Sequence, residues 1–244
     1  MFSDEPRPWP APNGRWLVRF SWENLLFMHW PVQIDALRER IPEPLEIDTY
    51  DGEAWIGVVP FEMNRIRSAY LPPIPGLAAF PELNVRTYVT FQGKPGVWFF
   101  SLDAPNRLAV RGARAVFHLP YFDAAMSCTI GSNHVAYSCS RIHRNAPAAD
   151  FQSRYAQAGP RMEVLPGSID EWLTFRYCLY AIDSKKRLCR GEIHHAPWQL
   201  YPAEAEVIVD TMVTSLGIRL PDIPPMLHFS KTIDAVSWKV TKIT

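Results

Sequence analysis

Lysine is scarce in this sequence of 244 residues, and features that mark several classes of protein are missing. Six lysines stand against nineteen arginines. Acidic and basic side chains are equal in number, so the net charge is zero and no overall field draws the chain to nucleic acid or an anionic membrane. No apolar run approaches the roughly 18 residues of a membrane span. We therefore expect neither nucleic-acid nor membrane partners.

Signals for export, metal binding and cofactor binding are also missing. The N-terminus lacks the apolar core of a secretory signal peptide. Four cysteines, at positions 128, 139, 178 and 189, show no CxxC or CxxH spacing, which argues against a zinc site. No glycine-rich phosphate loop is present. The sequence predicts a cytoplasmic protein with buried, reduced thiols, no metal and no cofactor.

What the sequence does contain is enough apolar material for a large core. Apolar residues make up 48% and aromatic residues 13% of the chain, which excludes a disordered protein. No internal repeat occurs, no Gly/Ser linker divides the chain, and the 23 prolines are spread from end to end. We therefore expect residues 1–244 to form a single domain.

Strand-like runs follow one another as hairpins. The pattern predicts hairpins over 45–61 around Asp51-Gly52, over 83–102 around residues 93–96, over 126–143, and over 175–195. Residues 203–209 suit either a helix or a strand, residues 144–159 are polar, and residues 227–243 are strand-like. Sequential antiparallel hairpins with few helices predict a closed or strongly curled sheet with helices packed outside. Its mouth or interior is the expected ligand site.

The clearest helix is predicted over residues 103–118. Asp103 can cap it and Pro105 can stand in its first turn. Its polar side carries Arg107, Arg111, Arg114 and His118. This side is either a solvated face or an anion-binding edge, where Arg114 contacts the ligand and His118 transfers protons. Shorter helices are predicted after Pro31 and at the capping box Ser168–Glu171.

A polar strand face offers the best candidate for ligand binding. Strand alternation over 84–90 places Asn84, Arg86 and Tyr88 on one face. That face either meets water or lines a polar cavity. In a cavity, Arg86 can hold a carboxylate through its planar guanidinium fork, with Asn84 and Tyr88 beside it.

Two adjacent histidines, His194 and His195, precede Trp198, a candidate ligand contact. Neighbouring strand residues point to opposite faces, so only one histidine can enter the barrel and the pair cannot bind one metal. The turn between the strands decides which histidine enters. A two-residue turn at Ser184-Lys185 would place Cys178 opposite Gly191. His194 is the candidate for proton transfer, and a hydrogen-bonded structural role is the alternative.

Six blocks, in this order, resemble the YqjF-like family of uncharacterised bacterial proteins in the acetoacetate decarboxylase-like superfamily. They are Met28–Pro31, Leu45–Asp48 with Ala54–Phe61, Phe99–Ala104, Phe117–Tyr121, Arg190–Trp198 and Leu227–Phe229. The resemblance extends from about Phe20 to Trp238. It implies an α+β fold that is mainly antiparallel β, namely a cone-like barrel with flanking helices.

The chemistry best known in that superfamily needs a Schiff-base lysine, which follows a proline after a helix. The equivalent stretch here is similar to His118–Phe122, where Tyr121 and Phe122 stand in place of the lysine pair. Lys94, Lys185 and Lys186 lie in predicted turns. Only Lys231 and Lys239, on the last strand, could point inward. The sequence therefore argues against a lysine Schiff base.

Three hypotheses remain open from the sequence. The leading one is a barrel that binds a small carboxylate- or carbonyl-bearing molecule, with or without catalysis. The second is a lysine-independent lyase, isomerase or hydrolase in which Arg86 holds an anion and Tyr121, His118 or His194 transfers protons. The third is a non-catalytic interaction protein, for example a homodimer formed through the proline-rich loop 71–76.

Overall fold

The computed structural model describes residues 7–70 and 79–243. The predicted proline-rich loop 71–76 lies outside the described residues. The strands are β1 (Val18–Val32), β2 (Glu46–Ile47), β3 (Ala54–Ser68), β4 (Phe80–Phe91), β5 (Lys94–Ala104), β6 (Tyr121–Ile130), β7 (Val135–Arg141), β8 (Asp150–Gln157), β9 (Cys178–Ile182), β10 (Leu188–His195), β11 (Tyr201–Asp210), β12 (Met226–Ser237) and β13 (Thr241–Lys242). The helices are α1 (Ile34–Arg38), α2 (Arg107–Phe117) and α3 (Ile169–Thr174), with a short 3₁₀ turn at Thr214–Leu216.

Strand pairing closes the sheet into two connected rings. Pairing of β4 with β5 closes a barrel of nine strands, made of β1, β3, β4, β5, β6, β7, β8, β11 and β12. Pairing of β10 with β12 closes a smaller ring of seven strands, made of β1, β3, β4, β5, β9, β10 and β12. Strands β1, β3, β4, β5 and β12 therefore belong to both rings. The predicted class, a mainly antiparallel barrel with flanking helices, is confirmed.

Strand β4, which belongs to both rings, is largely buried on both faces. Leu83 and Val85 belong to the main hydrophobic core and are fully buried. Glu82, Asn84 and Arg86 alternate with them and line a cavity on the opposite side. Side chains on successive strand residues point to opposite faces, so the two faces of β4 serve two different interiors.

The N-terminal cap of helix α2 lies three residues later than predicted. Asn106 is the cap, and its side-chain oxygen accepts hydrogen bonds from the backbone N–H groups of Leu108 and Ala109. The prediction that Asp103 caps this helix is wrong, because Asp103 lies inside β5, where it is buried and paired with Arg141. The predicted cap of α3 is confirmed, since the Ser168 side chain accepts from the backbone N–H of Glu171. The reciprocal bond of a capping box is shifted by one residue, because the Glu171 carboxylate accepts from the backbone N–H of Gly167.

Several predicted pairings and turns also differ from the structure. Strand β2 pairs with β4 and not with β3, so the predicted strand pairing over 45–61 is wrong. The predicted turn at Asp51-Gly52 is present, because Tyr50 and Glu53 pair across it. The β4–β5 turn is formed by Gln92-Gly93, with φ values of 52° and 72°; these positive values favour this two-residue hairpin turn. Residues 150–157 and 201–210 are both strands that pair with each other.

The turn between β9 and β10 is longer than predicted. Ile182 faces Leu188, which leaves the five residues 183–187 between the paired positions. Lys186 adopts a positive φ of 60°, and the Asp183 carboxylate accepts hydrogen bonds from the backbone N–H groups of Lys185 and Arg187. Cys178 therefore faces Glu192 instead of Gly191, a shift of one residue in register.

Among the described residues, no helix is long and apolar enough to cross a membrane. In the same part of the chain, no group of three or more His, Cys, Asp or Glu side chains is arranged to hold a metal ion.

The buried ion pair between β5 and β7 gives a test of the fold. Both Arg141 Nε and Nη2 lie 2.7 Å from the carboxylate of Asp103, and the two side chains are 2% and 0% exposed. We expect Arg141→Ala to lower the free energy of unfolding by about 3–5 kcal/mol, because it leaves a buried charge without its partner. Urea denaturation measures the change.

The control is Arg154→Ala, which removes an exposed arginine 3.9 Å from Glu206. An exposed pair of this kind contributes about 0–1 kcal/mol. Equal losses in the two variants would show that the buried pair has no special role.

Candidate functional site

A cavity of about 180 Å³ lies inside the seven-strand ring. Its walls are mostly apolar, and α2 contributes Ala109, Ala113 and Phe117 to them. Trp22 and Trp198 also line it, with ring centroids 5.5 Å apart in a stacked arrangement. A dry cavity of about 150 Å³ is large enough to bind benzene, so this one can hold a small organic molecule.

A strip of polar side chains crosses this apolar wall. Glu82, Asn84 and Arg86 follow one another along the inner face of β4, and Tyr121, Arg176 and His195 join them from other elements. Alternate residues of a strand are roughly 6.5 Å apart, so β4 presents a carboxyl, an amide and a guanidinium group in a row.

Contacts with neighbouring residues fix the orientation of the Arg86 side chain. Its Nη2 donates to the carbonyl oxygen of Leu173 at 3.2 Å and to the Tyr88 hydroxyl at 3.4 Å. The guanidinium carbon lies 5.1 Å from the ring centroid of Phe27. Its Nε is buried and has no hydrogen-bond partner among the described residues.

Tyr88 lies behind Arg86 and does not line the cavity. Its hydroxyl donates to the Leu173 carbonyl at 2.7 Å, and His29 Nε2 is 2.6 Å away. The hydroxyl has one proton, so when that proton is donated to Leu173, His29 donates to the hydroxyl through Nε2. Burial holds the pKa of His29 well below its ordinary value, so this histidine is neutral. Gly57 makes room, since a Cβ there would lie 2.8 Å from the His29 ring.

Arg176 supplies a second guanidinium group to the wall. Its Nε donates to the carbonyl oxygen of Trp172 at 2.7 Å and its Nη1 to the Asp48 carboxylate at 2.5 Å. Its Nη2 is buried and has no hydrogen-bond partner in residues 7–70 and 79–243. Burial lowers the pKa of Arg176 while Asp48 raises it. An arginine stays protonated in proteins, so the cavity wall contains two cations.

Glu82 and Tyr121 meet at the other end of the polar strip. The Tyr121 hydroxyl donates to Glu82 Oε2 at 3.0 Å. Burial raises the pKa of Glu82 to about 8, against the opposing effect of the Tyr121 hydrogen bond, and the nearby Asp103 raises it further. Burial and the adjacent Glu82 also raise the pKa of Tyr121 well above its ordinary value. Near pH 7 both groups are mostly protonated and neutral.

The histidine that lines the cavity is His195, not His194. The register explains the difference. Residues directly opposite each other in an antiparallel pair point to the same side. Leu179 lines the cavity and faces Gly191, so Ile193 and His195 point inward as well. Burial lowers the pKa of His195 to about 4, so its ring is neutral, and it stacks on Tyr177 with centroids 4.7 Å apart.

The two candidates from α2 also lie outside the cavity lining. Arg114 donates through Nη1 to the main-chain carbonyl of Tyr121 at 2.8 Å, so it fixes the backbone of a lining residue. His118 ends the helix in the left-handed conformation. Of the predicted site residues, Asn84, Arg86, Tyr121 and Trp198 share the cavity wall, whereas Tyr88, Arg114, His118 and His194 do not. Their functional roles remain predictions.

Two cavity residues, Glu82 and Arg176, were missed by sequence reasoning. Glu82 precedes Asn84 by two positions, so the same alternation would have placed it on the inner face if the strand had been extended to its true start at Phe80. Arg176 is a lone arginine just before β9, and its sequence context gives no signal that it enters a cavity.

The groups that could form a covalent intermediate are poorly placed. All six lysines are among the described residues, and none lines the cavity. Cys178 does line it, but burial raises the pKa of its thiol to about 12. A thiol that stays protonated is a weak nucleophile. The site therefore favours hydrogen bonding, charge and proton transfer over covalent chemistry.

The environment of Glu82 gives a testable pH dependence of stability. Its pKa is about 8 in the folded protein and 4.5 ordinarily, so folding favours the protonated form. The contribution of Glu82 is therefore fully present below pH 4.5 and is lost as the pH rises through 8, by at most about 1.4 kcal/mol per pH unit. We expect Glu82→Gln, a neutral mimic, to remove this slope.

Urea denaturation of both proteins between pH 5 and pH 8.5 measures the effect as a difference curve. The free energy of unfolding of Glu82→Gln should rise relative to that of the natural protein as the pH increases over this range. A constant difference would mean that Glu82 is ionised in the folded protein.

Comparisons with known proteins identify the family. Residues 19–234 match the model of the DUF2071 family, described as an uncharacterized conserved protein. The chain is 46% identical over 232 residues to the uncharacterized protein YqjF of Bacillus subtilis (strain 168), and the match covers 95% of each chain. These matches confirm the resemblance seen in the sequence.

Solved structures identify the fold. The enduracididine biosynthesis enzyme MppR complexed with pyruvate superposes with a TM-score of 0.65 at 13% identity, over 98% of this chain and 93% of that one. Acetoacetate decarboxylase from Legionella pneumophila superposes with a TM-score of 0.64 at 11% identity, over 99% and 94%. The chain thus has an acetoacetate decarboxylase-like barrel and belongs to the DUF2071 family, together with its relative YqjF.

Proposed function

We propose that the cavity binds a small organic acid that also carries a carbonyl group and an apolar segment, with Arg86 and Arg176 holding its carboxylate. The observation that carries the proposal is a pair of buried guanidinium N–H groups, Arg86 Nε and Arg176 Nη2, that have no hydrogen-bond partner among the described residues and belong to side chains of a mostly apolar cavity wall. A buried donor without a partner costs about 1–3 kcal/mol, and more when it is charged.

The charge balance of the wall supports an anionic ligand. Arg86 and Arg176 are both cations, and the carboxylate paired with them in the described structure is Asp48, on Arg176. Glu82 is mostly protonated near pH 7 and His195 is neutral. A carboxylate would offset the remaining positive charge, and it matches the planar geometry of a guanidinium group.

The shape and lining of the cavity define the rest of the ligand. Trp22, Phe99 and Trp198 present apolar surface to it, so a carbon chain or a methyl group would be buried there. Asn84 has a buried Oδ1 without a partner among the described residues, and Tyr121 brings a hydroxyl group. The Asn84 oxygen accepts hydrogen bonds and suits a hydroxyl group of the ligand, whereas the Tyr121 hydroxyl can donate to a carbonyl oxygen.

The comparisons supply independent support of a general kind. MppR was solved as a complex with pyruvate, which is a small keto acid. At 13% identity this likeness extends to the fold alone, so the assignment of a ligand class to this chain depends on its own arginines. Interior sites of barrels are the usual place for small ligands.

Binding of levulinate, a five-carbon keto acid, tests the proposal. We expect isothermal titration calorimetry to show binding of levulinate and much weaker binding of 2-pentanone, which has the same length without the carboxylate. Arg86→Met should weaken levulinate binding about 10- to 150-fold, because a hydrogen bond to a charged group contributes about 1.5–3 kcal/mol. The control is Arg107→Met, which changes an exposed arginine of α2.

Two results would contradict the proposal. One is equal affinity for levulinate and 2-pentanone, which would show that the carboxylate is not recognised. The other is unchanged affinity in Arg86→Met, which would remove this residue from the binding site.

Borohydride trapping tests the absence of Schiff-base chemistry separately. Because none of the six lysines lines the cavity, we expect no covalent adduct after incubation with levulinate and sodium borohydride. Intact-protein mass spectrometry checks the result. A mass increase that maps to a lysine would show that one of them reaches the ligand.

A further inference from the structure

We infer that Glu82 and Tyr121 form a proton-transfer pair that enolises the carbonyl compound bound in the cavity. The inference rests on the proposed binding function and adds a reaction to it. Glu82 is the base that takes a proton from the carbon next to the carbonyl group. Tyr121 stabilises the negative charge that develops on the carbonyl oxygen.

The geometry places both groups where a ligand can touch them. Glu82 comes from β4 and Tyr121 from the start of β6, and both line the cavity. Their side chains meet at 3.0 Å. The Tyr137 hydroxyl donates to the main-chain carbonyl of Glu82 at 2.8 Å, and Arg114 donates to that of Tyr121 at 2.8 Å. Both catalytic side chains are thus attached to fixed backbone.

The spacing along β4 sets the orientation of the ligand. Glu82 and Arg86 are four residues apart, a Cα separation of roughly 13 Å, and Asn84 lies between them on the same face. A carboxylate at Arg86 therefore places the far end of a short keto acid towards Asn84 and Glu82. This favours acids whose carbonyl group is separated from the carboxylate by several carbon atoms, such as levulinate.

The proposed step is balanced without any co-reactant. The ionised carboxylate of Glu82 takes a proton from the α-carbon, so a C–H bond breaks and an O–H bond forms on Glu82. The electron pair of the C–H bond becomes the C=C bond, and the C=O electrons move to oxygen. The Tyr121 hydroxyl then turns from the newly protonated Glu82 and donates its hydrogen bond to the enolate oxygen. Return of the proton to carbon completes the exchange. In D₂O the glutamic acid proton is replaced by deuterium before it returns.

The surroundings of Glu82 make it a strong base when it is ionised. Tyr121 of β6 donates to it, the charge of Asp103 of β5 raises its pKa, and it interacts electrostatically with Tyr137 of β7. Asp103 is itself paired with Arg141 of β7. Arg86, Arg176 and His195 share its cavity. Since its pKa is about 8, the ionised fraction increases as the pH rises from 7 to 9. A base is most effective when its pKa lies near the working pH.

Deuterium exchange of levulinate, followed by ¹H NMR in D₂O, tests the inference. We expect the natural protein to accelerate the loss of the signals of the protons next to the ketone, compared with the rate without protein. The exchange rate should increase with pH around a midpoint near 8. Glu82→Gln should lower the exchange rate at least 100-fold, in line with general-base effects of about 10²–10⁴. Tyr121→Phe should lower it about 100- to 1,000-fold, the usual effect of removing one donor to a developing oxyanion. Arg107→Met should leave it unchanged.

Parallel calorimetry separates the two proposals. Levulinate that binds to the natural protein without accelerated exchange overturns the proton-transfer pair and leaves the binding function intact. Exchange that persists at the natural rate in a folded Glu82→Gln variant, confirmed by circular dichroism, also overturns the pair. Failure of levulinate to bind removes the binding function, and with it the basis of the pair. Exchange that is lost in Glu82→Gln with binding retained supports both.

Discussion

Burial on both faces of β1, β3 and β4 is the constraint on which the site depends. These strands separate the main core from the cavity, so a polar side chain on either face cannot turn outward to water. On the core side of β4, the apolar residues Leu83 and Val85 pack in the hydrophobic core. In the cavity, Glu82 is hydrogen-bonded to Tyr121, whereas the Asn84 Oδ1 acceptor and the Arg86 Nε donor have no partner among the described residues. The chemistry of the site follows from the removal of water.

Removal from water shifts the pKa of each buried ionisable group towards its neutral form. It raises the pKa of Glu82 and lowers those of His29 and His195, because burial disfavours whichever form is charged. Two arginines remain charged and dominate the potential of the wall. In a cavity of this kind a protonated carboxyl group and a tyrosine hydroxyl provide donors without adding charge. A Schiff-base lysine, in contrast, must lose its proton before its amine can react.

The sequence was sufficient for the fold class and for part of the site, for reasons that particular residues make clear. Alternation placed Asn84 and Arg86 on one face because period-2 patterning is local. Resemblance placed Tyr121 where a lysine would stand. Asp103 was predicted as the helix cap in place of Asn106 because its true partner, Arg141, lies 38 residues away along the chain. Local sequence patterns do not show a partner at that distance. Glu82 was missed because the predicted strand begins at residue 83, whereas β4 begins at Phe80. Arg176 was missed because only tertiary packing brings it to the cavity.

The five-residue turn between β9 and β10 has a consequence for how such sites diversify. The turn lies at the surface and is held by Asp183, which bonds to Lys185 and Arg187. Its length decides whether His195 or His194 lines the cavity. Deletion of one surface residue would therefore exchange every inward side chain of β10 at once. In this barrel a change of turn length can replace the composition of one wall without any substitution inside the cavity.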